Sequence, residues 1–199
     1  MKHIFTDPDL IGLDRIWPLG QQLTVPENGT IVVAGAYEGR YVHYLSEMFP
    51  TAYIHGYEPQ DEARSMAEKR LKGRNRVRFS RYALGTANRS MSLGKQGTDG
   101  ASFMENLGKA GMITVLDAVD VLHGLPPVDL LVLNAEGSEW SLLPYLMDEM
   151  MQHRIKSLAI QFHPGYVSTA RAEEVLLKLR QYYAEKSGTY PSWTLWERI

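Results

Sequence analysis

Short β-branched runs alternate with longer amphipathic segments along this chain, and this alternation limits its fold more than any other feature. Thr30–Ala34 is an apolar run closed by Gly35, and an apolar stripe at helical spacing follows it as far as Pro50. A second run at 52–57 is followed by another helical stripe. Strands that alternate with helices form a mostly parallel sheet with helices on both faces, because each crossover lays its helix against the sheet.

The later part of the chain repeats this pattern. Further strands are predicted at 77–79, 129–133, 157–162 and 193–196, and the unbroken apolar run at 129–133 is typical of a parallel strand buried on both faces. One helix is predicted from about residue 140 to 151, with Pro144 tolerated only in its first turn. Another is predicted from Ser168 or Thr169 to a stop at Gly188. We therefore predict a doubly wound, mostly parallel α/β sheet.

The composition is that of an ordinary globular domain. The chain has 199 residues, of which 44% are hydrophobic and 22% charged, and we predict one domain with an extension at 1–28 and a core at 29–199. The absence of cysteine excludes disulfides, thiolate metal sites and a cysteine nucleophile. The six histidines lack metal-ligand spacing, so we expect no metal.

The charge balance argues against a polyanionic or membrane partner. Lys and Arg number 21 against 23 Asp and Glu, for a net charge of −2. Such a chain has no overall attraction to nucleic acid or to an anionic membrane. It has neither a signal-like apolar start nor a stretch long enough to span a bilayer, so we expect a cytoplasmic protein.

A glycine turn follows the first strand, at the strand end where parallel sheets bind ligands. Gly35 and Gly39 stand four positions apart. They allow the backbone either to approach a ligand or simply to make a tight turn. Ala36 and Tyr37 interrupt the dinucleotide-binding glycine pattern, and Glu38 would place a carboxylate beside a pyrophosphate. A nicotinamide-dependent oxidoreductase is therefore the least favoured function.

An acidic residue follows the second strand. Glu58 lies 19 positions beyond Gly39, a spacing that suits a carboxylate accepting hydrogen bonds from both hydroxyls of a ribose. The alternative is an acid at the start of a helix, favoured by the helix dipole. Together, the glycine turn and Glu58 favour a ligand that carries a nucleoside.

Polar residues also follow two later buried strands. Glu136 follows the strand at 129–133 and is interpreted as a group that positions or deprotonates a hydroxyl. Glu139 is either part of the same site or an acid at the start of the next helix. His163 follows the strand at 157–162 and is either a general base or a hydrogen-bonded loop histidine.

These motifs, in this order, resemble the FkbM-type S-adenosylmethionine-dependent methyltransferases. The similarity spans roughly 31–163, and its specific parts are the Glu58-Pro59 step and the segment 128–139. The resemblance implies a Rossmann-like class I methyltransferase fold, in which the sheet has seven strands and the last is antiparallel. It also implies S-adenosyl-L-methionine as cofactor and methyl transfer to a hydroxyl of a sugar or small metabolite.

The resemblance implies a role for particular residues. Glu58 would bind the ribose of the cofactor. Glu136 and His163 are the candidate catalytic residues because of their places after buried strands, as argued above. The other residues that would contact the cofactor are Gly35, Ala36 and Gly39 at the methionine part, Ala83 and Leu84 at the adenine, and Tyr37 and Asn134.

Three positions depart from the family pattern. The family usually has Asp where this chain has Val33 and Asn134, and often Glu where it has Gln161. An acid at position 33 would bind the ammonium group of the methionine part of the cofactor, so Val33 weakens this expected contact. Glu38 is a substitute for the missing acid. Because of these departures, the second interpretation is a methyltransferase-like module without catalysis that binds the cofactor or no ligand. The methyltransferase remains the leading interpretation.

The expected partner is a small-molecule hydroxyl acceptor, either a sugar or a phosphorylated metabolite. Seven basic residues lie between Lys69 and Arg81 and would suit a phosphorylated or nucleic-acid acceptor. We interpret them instead as a solvated helix end, since the run lacks interleaved stacking aromatics, and do not expect nucleic acid as a partner. The glycine-rich stretch at 97–111 is either a lid over the acceptor or an ordinary surface loop.

Overall fold

The computed structural model describes residues 22–92, 94–96, 100–102, 111–188, 190 and 193–199. Most of the predicted extension at 1–28 lies outside the described residues, and so does most of the stretch 97–111, which was interpreted as either a lid or a surface loop. The strands are β1 (Thr30–Ala34), β2 (Tyr53–Tyr57), β3 (Val77–Ser80), β4 (Ala83–Gly85), β5 (Arg89–Ser92), β6 (Gly94–Gln96), β7 (Gly100–Ser102), β8 (Met112–Asp117), β9 (Val128–Leu133), β10 (Ile155–Gln161), β11 (Tyr183–Gly188) and β12 (Trp193–Arg198).

Five α-helices accompany these strands within the described ranges. They are α1 (Arg40–Met48), α2 (Asp61–Arg70), α3 (Ala118–His123), α4 (Glu139–Asp148) and α5 (Thr169–Leu179). None of the helices in the described part of the chain is long and apolar enough to cross a membrane.

The main sheet has seven strands in the order β3-β2-β1-β9-β10-β12-β11. The five strands from β3 to β10 are parallel to their neighbours, whereas β12 is antiparallel to both β10 and β11. The predicted mostly parallel, seven-stranded sheet with an antiparallel last strand is therefore confirmed. The chain moves outward from β1 to β3 and returns at β9 on the other side of β1. Strand order reverses between β1 and β9, which is where such sheets bind ligands.

Two large apolar clusters cover the main sheet, one on each face, and a third, smaller cluster lies at the second sheet. Ile31 and Val33 pack with side chains of α1, whereas Val32 and Ala34 pack with side chains of α4 and α5. Alternate residues of a strand point to opposite faces, so β1 contributes to both large clusters. The burial of all five β1 residues explains why this strand is apolar throughout.

Two expectations about the helices were wrong. Pro144 is the sixth residue of α4 and does not lie in its first turn. Its ring removes one helical hydrogen bond, and burial of most of the α4 side chains offsets this loss. Helix α5 ends at Leu179, and Gly188 ends β11 with a φ of +96°. The apolar stripe at helical spacing extends to Tyr183 in the sequence. In the structure that residue begins β11, and its hydroxyl donates a hydrogen bond to the carbonyl of Ile155.

The stretch 81–117 holds structure that the apolar pattern did not predict. Strands β4, β8 and β5 form a second, three-stranded sheet, and β6 pairs antiparallel with β7. The residues of β5 are mostly exposed and those of β8 are buried only in part, so the apolar pattern there is weak. The Asp117 side chain then caps α3 by accepting from the backbone N–H of Val119 at 2.8 Å.

Substitution of Gly39 tests how closely α1 packs on α2. Gly39 has a φ of +77°, and a Cβ there would lie 2.8 Å from the Cβ of Ala67. We expect Gly39→Ala to lower the free energy of unfolding by about 2–4 kcal/mol, because backbone strain and overpacking add. Urea denaturation measures the change.

Gly73→Ala is the matched control for this experiment. Gly73 has a φ of +91°, but nothing lies within 4 Å of a Cβ placed there. The Gly73→Ala variant should lose only the part of the free energy of unfolding that comes from backbone strain, roughly 1 kcal/mol. Equal losses in the two variants would contradict the proposed contact between the helices.

Candidate functional site

A cleft of about 840 Å³, a volume that includes part of its open mouth, lies at the carboxyl ends of β1, β2 and β9. It sits at the point where strand order reverses. The residues that line it are Ala34, Gly35, Ala36, Tyr37, Glu38, Arg40, Tyr41, Tyr57, Glu58, Pro59, Gln60, Ala83, Leu84, Asn134, Ala135 and Glu136.

The turn after β1 brings the ends of three strands together. A Cβ on Gly35 would lie 1.9 Å from the backbone oxygen of Asn134, so only glycine allows β1 and β9 to end this close to each other. Its φ of +80° also favours glycine. The N–H groups of Gly35 and Ala36 both donate to the carbonyl of Tyr57 at 3.1 Å, which ties the turn to β2.

Glu58 is buried at the cleft wall, where its side chain is 3% exposed. One carboxylate oxygen accepts from the N–H of Tyr37 at 2.8 Å, and the other accepts from the N–H of Gln60 at 2.9 Å. Burial raises the pKa of Glu58, and these hydrogen bonds and the charge of Arg64 partly oppose the shift. A carboxylate has about four acceptor positions, so acceptor capacity remains beyond these two backbone N–H groups.

Apolar side chains form another part of the cleft. Ala83 and Leu84 of β4 are each 4% exposed and line the cleft together with Tyr57 and Pro59. Such walls can cover the faces of an adenine ring.

Asn134 supplies an unpartnered acceptor at the end of β9. Its Oδ1 atom is buried and has no hydrogen-bond partner among the described residues. Val33, where the family resemblance leads one to expect an acid, is fully buried in the apolar cluster beside α1 and presents no polar group to the cleft. Asn134 therefore offers a polar contact near the glycine turn that Val33 does not.

Glu136, His163 and Glu139 form a cluster at the edge of the cleft. The Nε2 atom of His163 lies 3.5 Å from Oε1 of Glu136, and its Nδ1 atom lies 2.9 Å from Oε1 of Glu139. Burial of the imidazole by itself lowers its pKa. Hydrogen bonds to the two carboxylates and their charges outweigh burial and raise the pKa of His163 to about 9. His163 is therefore a cation at neutral pH.

The structure gathers eight of the ten predicted site residues around the cleft: Gly35, Ala36, Tyr37, Glu58, Ala83, Leu84, Asn134 and Glu136. The other two do not line it. His163 stands behind Glu136, and Gly39 packs against Ala67 of α2. Within the described ranges, no cluster of three or more His, Asp or Glu side chains suits a metal ion.

Sequence reasoning did not assign Arg40, Tyr41 and Gln60, which also line the cleft. Arg40 and Tyr41 belong to the first turn of α1, and Gln60 immediately precedes α2. Both helices start at the carboxyl ends of their strands, so their first residues face the same edge. Position directly after a glycine turn is the signal that would have indicated Arg40 and Tyr41.

The basic run at 69–81 is largely bonded within the chain. Arg74 pairs with Glu47, Arg70 donates to the carbonyl of Glu38, and Arg76 donates to Asn28 and stacks on Tyr53 at 4.5 Å. Arg81 lies over the ring of Tyr82 at 5.5 Å. Tyr53 comes from β2, and Tyr82 lies just beyond the run. The described arginines thus join neighbouring segments of the chain.

Comparison with known proteins gives similarity of fold without similarity of sequence. No family model matches the sequence, and no curated protein matches it. An rRNA methylase from Streptococcus thermophilus is similar with a TM-score of 0.55 at 10% identity, over 98% of this chain and 99% of that one. Precorrin-6y C5,15-methyltransferase from Geobacter metallireducens is similar with a TM-score of 0.54 at 12% identity, over 100% of this chain and 93% of that one.

A third solved structure is a SAM-dependent O-methyltransferase from Thermotoga maritima. Its TM-score is 0.52 at 15% identity, over 94% of this chain and 65% of that one. All three proteins are methyltransferases. At these identities the likeness shows the fold, and this chain has the α/β fold of the class I methyltransferases.

The raised pKa of His163 predicts a stability that depends on pH. Because the folded state holds the proton more tightly than the unfolded state, the stabilisation is complete below about pH 6.5 and is lost as pH rises through about 9. The free energy of unfolding should fall by up to about 3 kcal/mol across this window. Urea denaturation at several pH values measures this.

His163→Gln should remove most of this pH dependence, whereas His123→Gln, at an exposed histidine, should keep it. If both variants retained the wild-type slope, the ion pairs of His163 would not be its source.

Proposed function

We propose that this chain is an S-adenosylmethionine-dependent methyltransferase that methylates a hydroxyl of a sugar or another small metabolite. The observation that carries the proposal is the buried Glu58 carboxylate, held by two backbone N–H groups at the wall of a cleft where strand order reverses. The fold that the chain shares with solved methyltransferases supports it. The FkbM-type resemblance of the motifs supports the narrower assignment to hydroxyl methylation.

The residues present fit this cofactor. The Glu58 carboxylate would accept from the two ribose hydroxyls, and Ala83 with Leu84 would cover the adenine. The unpartnered Oδ1 of Asn134 would accept from the ammonium of the methionine part, beside the turn at Gly35. When bound, the cofactor supplies a methyl group on a positively charged sulfur, which is a good leaving group.

Glu136 is the residue best placed to act on the acceptor. Its carboxylate lines the cleft and is about a third exposed, so it can reach a hydroxyl at the cleft edge and take its proton. His163 is protonated at neutral pH and lies behind Glu136, so it lacks the free lone pair that a general base needs. We therefore assign the base to Glu136 and a supporting role to His163.

The charges near the cleft favour a small acceptor over a polyanion. Glu38, Glu58 and Glu136 line the cleft against one basic residue, Arg40. This arrangement repels phosphate and attracts a positively charged methyl donor. Three arginines of the basic run, Arg70, Arg74 and Arg76, are engaged in bonds within the chain.

Substitution of Glu58 tests the cofactor site. We expect Glu58→Gln to weaken binding of S-adenosylhomocysteine by about 10–100-fold, because one charged hydrogen bond to a hydroxyl is worth about 1.5–3 kcal/mol. Isothermal titration calorimetry measures the affinity.

Glu62→Gln is the matched control, since Glu62 is an exposed acid in the first turn of α2 outside the cleft. It should bind like the wild type. Failure of the wild-type protein to bind S-adenosylhomocysteine would refute the proposed function.

Substitution of Glu136 tests catalysis. With labelled S-adenosylmethionine and a fractionated extract, we expect label to appear in a small hydroxyl compound. Glu136→Gln should lower the rate by about 10²–10⁴-fold while leaving S-adenosylhomocysteine affinity unchanged, because a general base contributes to the chemical step alone.

Two results would redirect the proposal. Label found in RNA would replace the small acceptor by a nucleic acid. Cofactor binding without transfer to any fraction would favour the binding module over the enzyme.

A further inference from the structure

We propose that Glu139 is a positioning residue, whose buried carboxylate ties the loop after β9 to the loop after β10 and thereby holds Glu136 at the edge of the cleft. This inference rests on the proposed function, because it names the group that orients the base. Glu139 itself does not line the cleft.

The hydrogen bonds of Glu139 join two separate loops. Its side chain is fully buried, at 0% exposure. One oxygen accepts from the N–H of Gly137 at 3.0 Å, in the loop after β9. The other accepts from the N–H of His163 at 2.7 Å, in the loop after β10, and lies 2.9 Å from Nδ1 of the same residue. An acid that only complements a helix dipole has no need of such partners.

The loop that carries Glu136 is held in a strained conformation. Glu136 has a φ of +48° and Gly137 a φ of +101°, both in the left-handed region. Residues other than glycine rarely adopt this backbone conformation, and they keep it only where the surrounding structure enforces it. On one side Glu139 binds Gly137, and on the other the ring of Tyr166 packs so closely that a Cβ on Gly137 would lie 2.6 Å from its Cγ.

His163 extends this positioning from Glu139 to Glu136. Its two ring nitrogens face the two carboxylates, with Nδ1 toward Glu139 and Nε2 toward Glu136. The Tyr166 ring also lies beside the imidazole, with the two ring centres 6.3 Å apart. A charged imidazolium between two carboxylates donates from both nitrogens, so the buried acid orients the ring and the ring orients Glu136.

Glu139→Gln tests this role, because it keeps the shape of the side chain and removes its charge. We expect the pKa of His163, read from an NMR pH titration of the histidine rings, to fall from about 9 toward the ordinary value of about 6.5. Affinity for S-adenosylhomocysteine should stay unchanged in calorimetry. Methyl transfer should fall ~10–100-fold with the KM for the donor unchanged, since misplacing a base affects the chemical step.

Two further variants keep the test decisive. Glu139→Asp keeps the charge but shortens the side chain by one methylene group. If Glu139→Gln does not fold, we expect Glu139→Asp to lower both the pKa of His163 and the rate of methyl transfer. Glu62→Gln, the same change at an exposed first-turn acid, should alter neither. If the pKa of His163 is the same in the folded Glu139 variants as in the wild type, the inference is overturned. Loss of S-adenosylhomocysteine affinity together with methyl transfer would overturn it as well. Failure of the proposed function differs from both, since it would show as no binding by the wild type.

Discussion

The site depends on one close contact, in which the backbone of Gly35 lies against the carbonyl of Asn134. This contact lets β1 and β9 end side by side while the chain leaves them in different directions. The cleft opens between these two ends because strand order reverses there. A side chain at position 35 would push the strand ends apart, and the residues of the two loops would no longer face one cleft.

Two buried carboxylates organise the cleft around this contact, and they do so in the same way. Glu58 accepts from backbone N–H groups of the loops after β1 and β2, and Glu139 accepts from those of the loops after β9 and β10. A buried charge is costly unless it is hydrogen-bonded, so each carboxylate strongly favours the loop conformation that satisfies it. The four loops are thereby held at the strand ends that surround the cleft.

Sequence reasoning succeeded where burial leaves a clear pattern. The strands at Thr30–Ala34 and 129–133 were predicted almost to the residue, because both faces of each are covered and nearly every side chain is apolar. It failed between 81 and 117, where short strands with exposed residues lack such a pattern. It also failed at Gly188, because an apolar stripe looks the same whether a helix continues or a strand begins.

The sequence alone determined the mostly parallel sheet, the glycine turn and the placing of Glu58 and Glu136 after strands, since these follow from local periodicity and spacing. Only the tertiary structure decided what those groups meet. It turned Gly39 toward Ala67, gave His163 two carboxylate partners and buried Glu139 completely, all through contacts between residues far apart in the chain. Local patterns carry no record of such contacts, because hydrogen bonds and ion pairs between separate loops arise when strand order brings the loops together.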